Sequence, residues 1–440
     1  MTRWRLPCAL KWLAAFLAAS LVLWALPSAA AVIEVTAGGE SLARAIAAAA
    51  PGDVLRLKPG IHDGPVVIDR ALTLEGEPGA VVDGHGVGRA VEVTAPHVTI
   101  RRLAIRGSGM SLDQMHAAVF LDQTATGAVV EDNDIEDNLV GVYVHGARDA
   151  IVRHNRISGR VLPHLNDSGN GVYVWNAPGT QVLDNDISGG RDGIFTNTSR
   201  DNAFSRNRIH GVRFAVHYMY TNHSEVSDNV SVGNHAGYVI MYSDHLIIHN
   251  NLSRGDRDHG LLFNYANDAD ISGNAVQGGD KCVFIYNANK NRFHDNWFEG
   301  CRIGIHFTAG SERNAVSGNA FIGNQSQVIY VGTRFLNWSE NGRGNYWSDN
   351  PAFDLNGDGI ADEPYRPNDI VDQILWRFPA AKLLLNSPAT QLVRWAQSQF
   401  PGVHPGGVFD MAPLMKPPRV AAAESIDDGP PDARSMGAEP

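Results

Sequence analysis

The segment LDNDISG, residues 183–189, indicates the architecture because close copies of it recur along most of the chain. The copies are EDNDIED, RHNRISG, SRNRIHG, SDNVSVG, IHNNLSR, SGNAVQG, HDNWFEG and SGNAFIG. Alignment of the third residue of each copy gives spacings of 22, 30, 22, 22, 21, 24, 22 and 23 residues. The aligned asparagines are Asn133, Asn155, Asn185, Asn207, Asn229, Asn250, Asn274, Asn296 and Asn319. A repeat of this length is the strongest organising pattern in the sequence.

The repeat predicts an all-β solenoid, a parallel β-helix with one coil for about every 22 residues. Asparagine and glycine break the repeat into short β-rich segments, and no 3.6-residue apolar period is present. In a solenoid of this kind the coils pair edge to edge, and equivalent side chains stack into ladders. A leucine-rich repeat is the nearest alternative, but the leucine pattern and a helix in each repeat are missing.

Two irregular steps predict loops that project from the solenoid. The 30-residue step contains RVLPHLND, residues 160–167, and the 24-residue step contains RGDRDHG, residues 254–260. The open end of the first coil needs a cover, because an unpaired edge would template aggregation. SLARAIAAAAPGD, residues 41–53, predicts a helix over that end with Ser41 as its N-cap.

Alternation along the strands separates a core face from an outer face. After each small residue that opens a strand, one set is uniformly bulky and predicts the core, for example Val216 and Ile285. The other set points outward and carries almost no charge, which predicts a binding surface or a covered face. Its proposed partner-binding residues are Tyr143, Tyr173, Trp175, Phe284 and Tyr286.

The stretch AVHYMYTNH, residues 215–223, places His217 and Met219 on this outer face, with Met241 beside Met219 on the next coil. An imidazole and two thioethers suit Cu(I), a soft ion, so these three residues form a candidate copper site. Surface packing or a protein contact is the alternative. Met115 and His116, in the loop SGMSLDQMHAA, are a second candidate copper site, and methionine packing is again the alternative.

The N-terminus and the composition restrict the class of protein. Arg3, Arg5 and Lys11 precede an apolar run that ends in small residues, which predicts a cleaved signal peptide rather than a membrane anchor. The formal net charge is −11, so the chain is a poor candidate for nucleic-acid binding. The two remaining cysteines, Cys282 and Cys301, occupy coil positions three residues apart. That offset predicts a Cα separation of about 10 Å or more and two free thiols.

The repeat stops near residue 337, and a different segment follows. Ser387 and Pro388 predict the start of a helix that carries Trp395, a further proposed partner contact, and ends at Phe400. This segment is expected to cap the last coil or to lie on its flank. The predicted organisation is a signal peptide at 1–30, the β-helix at 31–336, a capping or docking segment at 337–417 and a disordered tail at 418–440.

The chain resembles the NosD family. The resemblance rests on AAAAPGDVLRLKPG, the Asn-Gly coils, GNYWSDNPAFDLNGDGIADEPYRPNDIVDQ, LLLNSPATQLVRWAQSQFP and GGVFDMAPLM, and it covers nearly the whole mature chain. It implies a periplasmic, right-handed β-helix docked on an ABC transporter that consists of a membrane permease and an ATPase. It also implies a role in assembling the copper–sulfur cluster of nitrous oxide reductase, with copper received from a lipoprotein chaperone. Membrane contact would then occur only through partners.

Two further motifs leave alternatives open. DLNGDGIADE places Asp354, Asn356, Asp358 and Asp362 at positions 1, 3, 5 and 9 of a calcium loop, but position 12 is Tyr365 instead of glutamate. A turn without calcium is the alternative. GDRDHG offers Asp256, Arg257, Asp258 and His259 for proton abstraction in a β-helix polysaccharide lyase or epimerase. A solvated loop is favoured over that chemistry, so we assign no catalytic residue and favour a non-enzymatic maturation factor.

Overall fold

Three parallel β-sheets wind around one elongated core and form a right-handed β-helix of about 14 turns. This computed structural model describes residues 30–308, 310–332, 334–367, 379–384, 387–399 and 407–424. Every coil contributes one strand to each sheet in turn, and all pairings within the three sheets are parallel. The predicted fold class is confirmed.

The strands fall into the three sheets as follows. Sheet 1 contains β1 Val32–Val35, β2 Val54–Leu57, β5 Thr73–Gly76, β8 Thr99–Arg101, β11 Val129–Glu131, β14 Ile151–Arg153, β17 Gln181–Leu183, β20 Ala203–Ser205, β23 Glu225–Ser227, β26 Ile247–His249, β29 Asp270–Ser272, β32 Arg292–His294 and β35 Ala315–Ser317. Sheet 2 contains β3 Gly60–Asp63, β6 Ala80–Asp83, β9 Ala104–Arg106, β12 Asp134–Asn138, β15 Arg156–Gly159, β18 Asp186–Gly189, β21 Arg208–His210, β24 Val230–Val232, β27 Leu252–Arg254, β30 Ala275–Gln277, β33 Trp297–Glu299, β36 Ala320–Ile322 and β39 Tyr346–Trp347. Sheet 3 contains β4 Val66–Ile68, β7 Val91–Val93, β10 Val119–Leu121, β13 Val142–His145, β16 Val172–Trp175, β19 Asp192–Arg200, β22 Phe214–Asn222, β25 Ala236–Met241, β28 His259–Asn264, β31 Lys281–Tyr286, β34 Ile303–Thr308 and β37 Ser326–Val331. A separate pair joins β38 Phe335–Asn337 to β40 Gly407–Phe409.

Short helices flank the coils. They are α1 Ser41–Ala48, α2 Pro388–Gln399, α3 Ala421–Glu424 and the 3₁₀ turns Leu165–Asp167 and Pro379–Leu384. Helix α1 covers the first coil and buries Leu42 and Ile46, as predicted. Ser41 is the first helical residue, not the N-cap, and its hydroxyl donates to the carbonyl of Thr36 at 2.6 Å. The N-cap prediction is therefore wrong.

The core face has the predicted register. Val216 and Ile285 are fully buried, and their equivalents on neighbouring coils stack in line with them. Branched and aromatic side chains fill the interior because every second residue of each strand points into it.

An asparagine ladder joins the coils at the turn between sheets 1 and 2. Each buried amide donates from Nδ2 to Oδ1 of the next asparagine at 2.8–3.0 Å, and that same oxygen accepts a backbone N–H. Asn250 is not a rung: it is exposed with φ +56°, and the buried rung is Asn251. The ladder continues beyond the last predicted rung, Asn319, to Asn345.

The correction at Asn250 removes one of the two predicted loops. With Asn251 as the rung, the spacings are 22 residues from Asn229 and 23 residues to Asn274. RGDRDHG therefore lengthens its coil by only one residue. Asp256 is fully buried there and accepts hydrogen bonds from the hydroxyls of Ser231 and Ser253, both at 2.6 Å. The prediction for residues 160–167 is confirmed: a loop with one 3₁₀ turn separates β15 from β16.

The two cysteines form a disulfide, so the prediction of free thiols is wrong. Cys282 and Cys301 have Cα atoms 5.7 Å apart and are both buried. The predicted Cα separation assumed that the three residues of coil offset lie along an extended chain. Cys301 lies in the corner that follows Gly300, where φ is +65°, and the bend carries it over the preceding coil.

The C-terminal segment closes the last coils and then returns along the solenoid. Strand β39 adds to sheet 2, ten residues beyond the limit expected for the β-helix, because Phe321 and Trp347 stack with centroids 4.3 Å apart. Val420 and Ala422 pack on the outer side of sheet 2 against Leu252 and Ala275. Val420 and Ala422 lie in the segment, from 418 onward, for which the sequence predicts a disordered tail.

Other predictions fall outside the described residues. They are the signal peptide up to residue 29, the helix end at Phe400 and the tail from residue 425. Among the described residues, no helix has the length and apolar character that crossing a membrane requires. Helix α2 does begin where the sequence predicts, and the hydroxyl of Ser387 accepts the N–H of Thr390 at 3.3 Å.

Candidate metal and partner site

The outer face of sheet 3 carries the candidate site. Side chains alternate between the core and the outer face along each strand, and equivalent outward side chains on neighbouring strands form rows. One row runs from Phe120 to His306, and a second row lies two residues further along each strand. The first row is Phe120, Tyr143, Tyr173, Phe195, His217, Val239, Leu262, Phe284 and His306. The second row includes His145, Trp175, Asn197, Met219, Met241, Asn264 and Tyr286.

Met219 and Met241 lie side by side on this face. They are direct partners in the register of β22 and β25, and both side chains are half-buried. Parallel strands lie about 4.8 Å apart, so the flexible thioethers can converge on one point. The structure thus brings together the two methionines that the sequence paired.

His217 is held in a defined orientation on the same strand as Met219. It is 6% exposed, and its Nδ1 lies 3.1 Å from Oδ2 of Asp192. When Nδ1 donates a hydrogen bond to this carboxylate, Nε2 is the ring nitrogen left to bind a metal ion. That Nε2 is buried and has no hydrogen-bond partner among the described residues. We define His217, Met219 and Met241 as the Met–His patch.

Asp192 is the residue that positions His217. Its carboxylate is buried and also accepts two hydrogen bonds from Arg213, at 2.8 and 2.7 Å. Burial opposes ionisation of Asp192, but the hydrogen bonds from His217 and Arg213 outweigh it and lower the pKa of the carboxyl. The ring centroids of Phe195 and Phe214 lie 4.8 and 5.2 Å from that of the imidazole, so aromatic rings pack on His217 beside the Asp192–Arg213 ion pair.

The loop candidates Met115 and His116 have contacts within their own loop. Met115 packs on the cluster that contains Phe120 and Tyr143. Nδ1 of His116 accepts the N–H of Ser111 at 3.1 Å, and its Nε2 lies 3.0 Å from Oε1 of Gln114. Burial, then the charge of Arg89, lowers the pKa of His116. These contacts favour the packing interpretation, because both ring nitrogens are already engaged.

The proposed partner residues differ in their accessibility. Tyr143 is 6% exposed and belongs to a buried cluster against which the loop residues Met115 and Leu162 pack. Tyr173 stacks on Tyr143 with centroids 4.5 Å apart, and Trp175 stacks on His145 at 4.5 Å. Tyr173, Trp175 and Phe284 are half-buried, whereas Tyr286 is 42% exposed and Trp395 on α2 is 60% exposed. An aromatic surface therefore remains accessible along sheet 3.

A tyrosine stack at the edge of this surface was missed by the sequence argument. Tyr220, Tyr242 and Tyr265 stack with centroids 5.1 Å apart at each step and are 39–51% exposed. All three have φ near +50° at the turn after sheet 3. The repeated segments YTNH, YSDH and YAND, which begin at these residues, contain the pattern that could have found the stack.

The candidate calcium residues fold into a self-bonded turn. The carboxylate of Asp354 accepts the N–H groups of Gly357 at 2.6 Å and of Gly359 at 2.8 Å. Asp362 accepts the N–H of Leu355 at 2.8 Å, and the hydroxyl of Tyr365 donates to Asp349. Within the part of the chain that the structure describes, no three His, Cys, Asp or Glu side chains are grouped to hold a metal ion.

Comparison with known proteins places the chain in a family. Residues 159–352 match the family model described as "Periplasmic copper-binding protein (NosD)". A protein of Stutzerimonas stutzeri named "Probable ABC transporter binding protein NosD" is 41% identical over 378 residues, 82% of this chain and 87% of that protein. The protein of the same name from Pseudomonas aeruginosa is 40% identical over 376 residues, 82% and 88% of the two chains.

The chain belongs to the NosD family. The resemblance stated from the sequence is thereby confirmed, and the family description is that of a periplasmic, copper-binding protein. The Met–His patch lies within the region that the NosD model matches, whereas the candidate calcium turn lies just beyond it.

Solved structures with a similar course of the chain include two carbohydrate-active enzymes. An alginate lyase from Paenibacillus sp. is 18% identical, with a TM-score of 0.42 over 60% of this chain and 94% of that chain. A DFA-IIIase from Arthrobacter chlorophenolicus is 14% identical, with a TM-score of 0.49 over 69% and 99% of the two chains. At these identities and TM-scores, the likeness does not bear on the chemistry of the NosD-family chain.

Proposed function

We propose that this protein is a periplasmic accessory protein of an ABC transporter that binds Cu(I) and passes it on. The recipient pathway is assembly of the copper–sulfur cluster of nitrous oxide reductase. The observation that carries the proposal is the Met–His patch, in which paired thioethers share the outer face of sheet 3 with an imidazole whose Nε2 has no hydrogen-bond partner among the described residues. The family description supports the choice of copper.

The ligand set matches the task of transfer. Thioethers and imidazole are ligands that suit Cu(I), and the two thioethers carry no charge that would hold the ion permanently. Asp192 lies against Nδ1 of His217, so Nε2 is the ring nitrogen left to bind an ion. The patch is therefore suited to weak and reversible capture of a soft monovalent ion.

We assign the partner contacts to two exposed surfaces, the outer face of sheet 3 and helix α2. The aromatic residues of sheet 3, namely Tyr173, Trp175, Phe284 and Tyr286, would contact protein partners, and Trp395 on the exposed face of α2 would provide a second contact. The proposed partners are the transporter permease with its ATPase, nitrous oxide reductase and a copper-chaperone lipoprotein. The names of the relatives support the transporter. In this proposal residues 1–30 are a cleaved signal peptide, and the membrane is reached only through partners.

The proposal is tested by Cu(I) competition on the purified protein, with a chelator of known affinity. Met219→Leu together with Met241→Leu conserves volume and apolarity, so packing is preserved while the soft ligands are lost. We expect the double variant to lose at least about tenfold in Cu(I) affinity. Met411→Leu, which removes an exposed thioether elsewhere, serves as the matched control. Equal affinity of all three proteins would contradict the proposal.

Calcium at Asp354, Asn356, Asp358 and Asp362 stays a prediction from the sequence. The turn makes its own hydrogen bonds, and a calcium ion would share carboxylate oxygens that already accept backbone N–H groups. Calorimetric titration with Ca²⁺ of the wild type and of Asp358→Asn tests it. Heat release in the wild type that the variant lacks would support a site, and no heat in either would leave a turn alone.

A further inference from the structure

The turn after sheet 3 carries two histidines on adjacent coils. His223 and His245 are both exposed, and their rings stack with centroids 4.8 Å apart and an interplanar angle of 26°. They occupy the same position of consecutive turns, since each donates its backbone N–H to the next coil, to Asp244 and Asn267 respectively. The stack is thus fixed by the register of the solenoid.

Acidic residues occupy the same turn position on either side of this pair. Asp201 precedes His223 by one coil, and Asp268 follows His245 by one coil, with φ of +57° and +54° against +50° and +58° for the histidines. By turn position the order along the solenoid is Asp–His–His–Asp over three coil spacings, about 14 Å.

The ring nitrogens of this pair differ from those of other surface histidines. Neither His223 nor His245 has a side-chain hydrogen bond or ion pair with any residue that the structure describes. By contrast, His154, His249 and His294 each lie against a carboxylate. The pair also stands apart from the Met–His patch, because it shares no ligand with that patch although it lies on the same two coils.

We propose that His223 and His245 form a surface site for a late first-row divalent ion, with Cu²⁺ bound most tightly. Imidazole nitrogen suits Cu²⁺, Ni²⁺ and Zn²⁺, and Cu²⁺ binds best in that series. An ion coordinates imidazole in the plane of the ring, so both rings must turn from the stack to face the ion, which their exposure permits. Water would complete the coordination.

This inference goes beyond the Cu(I) function, because the site takes a different oxidation state on different ligands. Its location three residues after Tyr220 and Tyr242 places it at the rim of the aromatic surface. A divalent ion bound there would add positive charge at the edge of an otherwise uncharged face. It would thereby change the electrostatic match to any partner that docks on sheet 3.

The test is titration of the purified full chain with Cu²⁺, followed by electron paramagnetic resonance of the first equivalent. We expect nitrogen hyperfine structure from two imidazoles. The variant His223→Asn with His245→Asn should lose this structure and at least about tenfold in affinity for the first ion. Asparagine tolerates the left-handed backbone, so the turn is preserved.

The matched control is His154→Asn. His154 has φ +53° at a turn of the same solenoid and lies 3.7 Å from Asp132 and from Asp184, but no histidine occupies the adjacent coils at its position. We expect the control to bind the first Cu²⁺ as the wild type does. Equal affinity and equal spectra for the wild type, the control and the double variant would overturn the proposal and leave His223 and His245 as a packing pair. Met219→Leu with Met241→Leu should keep the Cu²⁺ site, which separates this inference from the Cu(I) proposal.

Discussion

Asn345 donates its backbone N–H to the buried carboxylate of Asp410 at 2.6 Å, although 65 residues separate them in sequence. Asn345 is the last rung of the asparagine ladder, and Asp410 therefore closes that ladder from the C-terminal segment. The same carboxylate accepts the indole N–H of Trp347 at 2.8 Å and the N–H of Ala412 at 3.1 Å. One side chain thus joins the end of the solenoid to the segment that covers it.

Asp410→Ala should destabilise the protein by roughly 2–4 kcal/mol, because it leaves up to three buried donors without an acceptor. Asp410→Asn keeps one amide oxygen at the same place, so a smaller loss is expected. Denaturant unfolding followed by tryptophan fluorescence measures both, since Trp338 and Trp347 are buried beside this residue. Wild-type stability of Asp410→Ala would refute the capping role.

Adjacent asparagines allow a matched test of the ladder. Asn251→Ala removes a rung that donates to Asn274 and accepts from Asn229, and we expect a loss of at least about 2 kcal/mol. Asn250→Gly alters an exposed residue at φ +56°, a conformation that glycine adopts without strain. The free energy of unfolding should therefore change by no more than about 0.5 kcal/mol. Reversed effects in urea unfolding would restore Asn250 as the rung.

The repeat predicted the fold because periodicity survives even when single residues are ambiguous. The pair Asn250 and Asn251 shows the limit: either asparagine satisfies the pattern, and only strand pairing decides between them. The error displaced the register by one residue and produced a projecting loop that does not exist at Asp256. Alternation, in contrast, sorted the core and outer faces correctly, since a one-residue error would have put charges into the core.

Features that depend on bends or on distant contacts could not be predicted. The disulfide depends on the corner after Gly300, and no spacing rule contains that angle. The placement of Val420 against sheet 2 and of Asp410 on Asn345 depends on how a non-repeating segment folds back. For the site, the sequence identified Met219 and Met241 as neighbours. It did not identify Asp192 as the partner of His217, because that contact crosses coils.

The disulfide should stabilise the solenoid between two consecutive coils. Cys282→Ala with Cys301→Ala opens a loop with a sequence separation of 19 residues, and the expected loss is about 2–4 kcal/mol. Mass spectrometry after alkylation without reductant should find both cysteines unmodified. Alkylation of both in the natively folded protein would show free thiols and contradict the bridge.

His259 should make stability depend on pH. Burial, then the charge of Lys281, lowers its pKa from 6.5 to about 4, while Asp258 and Asp280 oppose the shift and His306 adds to it. As pH falls from about 6.5 to about 4, His259 is protonated in the unfolded chain but not in the folded chain, so stability is lost.

The variant His259→Gln should lose less stability than the wild type between about pH 7.5 and about pH 5. The difference is on the order of 1 kcal/mol after allowance for solvent screening of this half-buried ring. Urea unfolding at the two pH values measures it. Parallel losses in the two proteins would assign the pH dependence to other histidines, such as His306, whose pKa burial also lowers.

The most direct test of copper transfer is cluster loading of nitrous oxide reductase matured in cells that carry the Met219→Leu, Met241→Leu variant. Copper content and the absorption spectrum of the isolated enzyme give the readout. Met115→Leu with His116→Asn, expressed in parallel, tests the alternative loop ligands. We predict that the first variant yields enzyme without most of its copper–sulfur cluster, and that the loop variant yields loaded enzyme. Full loading with the first variant, at normal abundance of the protein, would contradict a role of the Met–His patch in copper transfer.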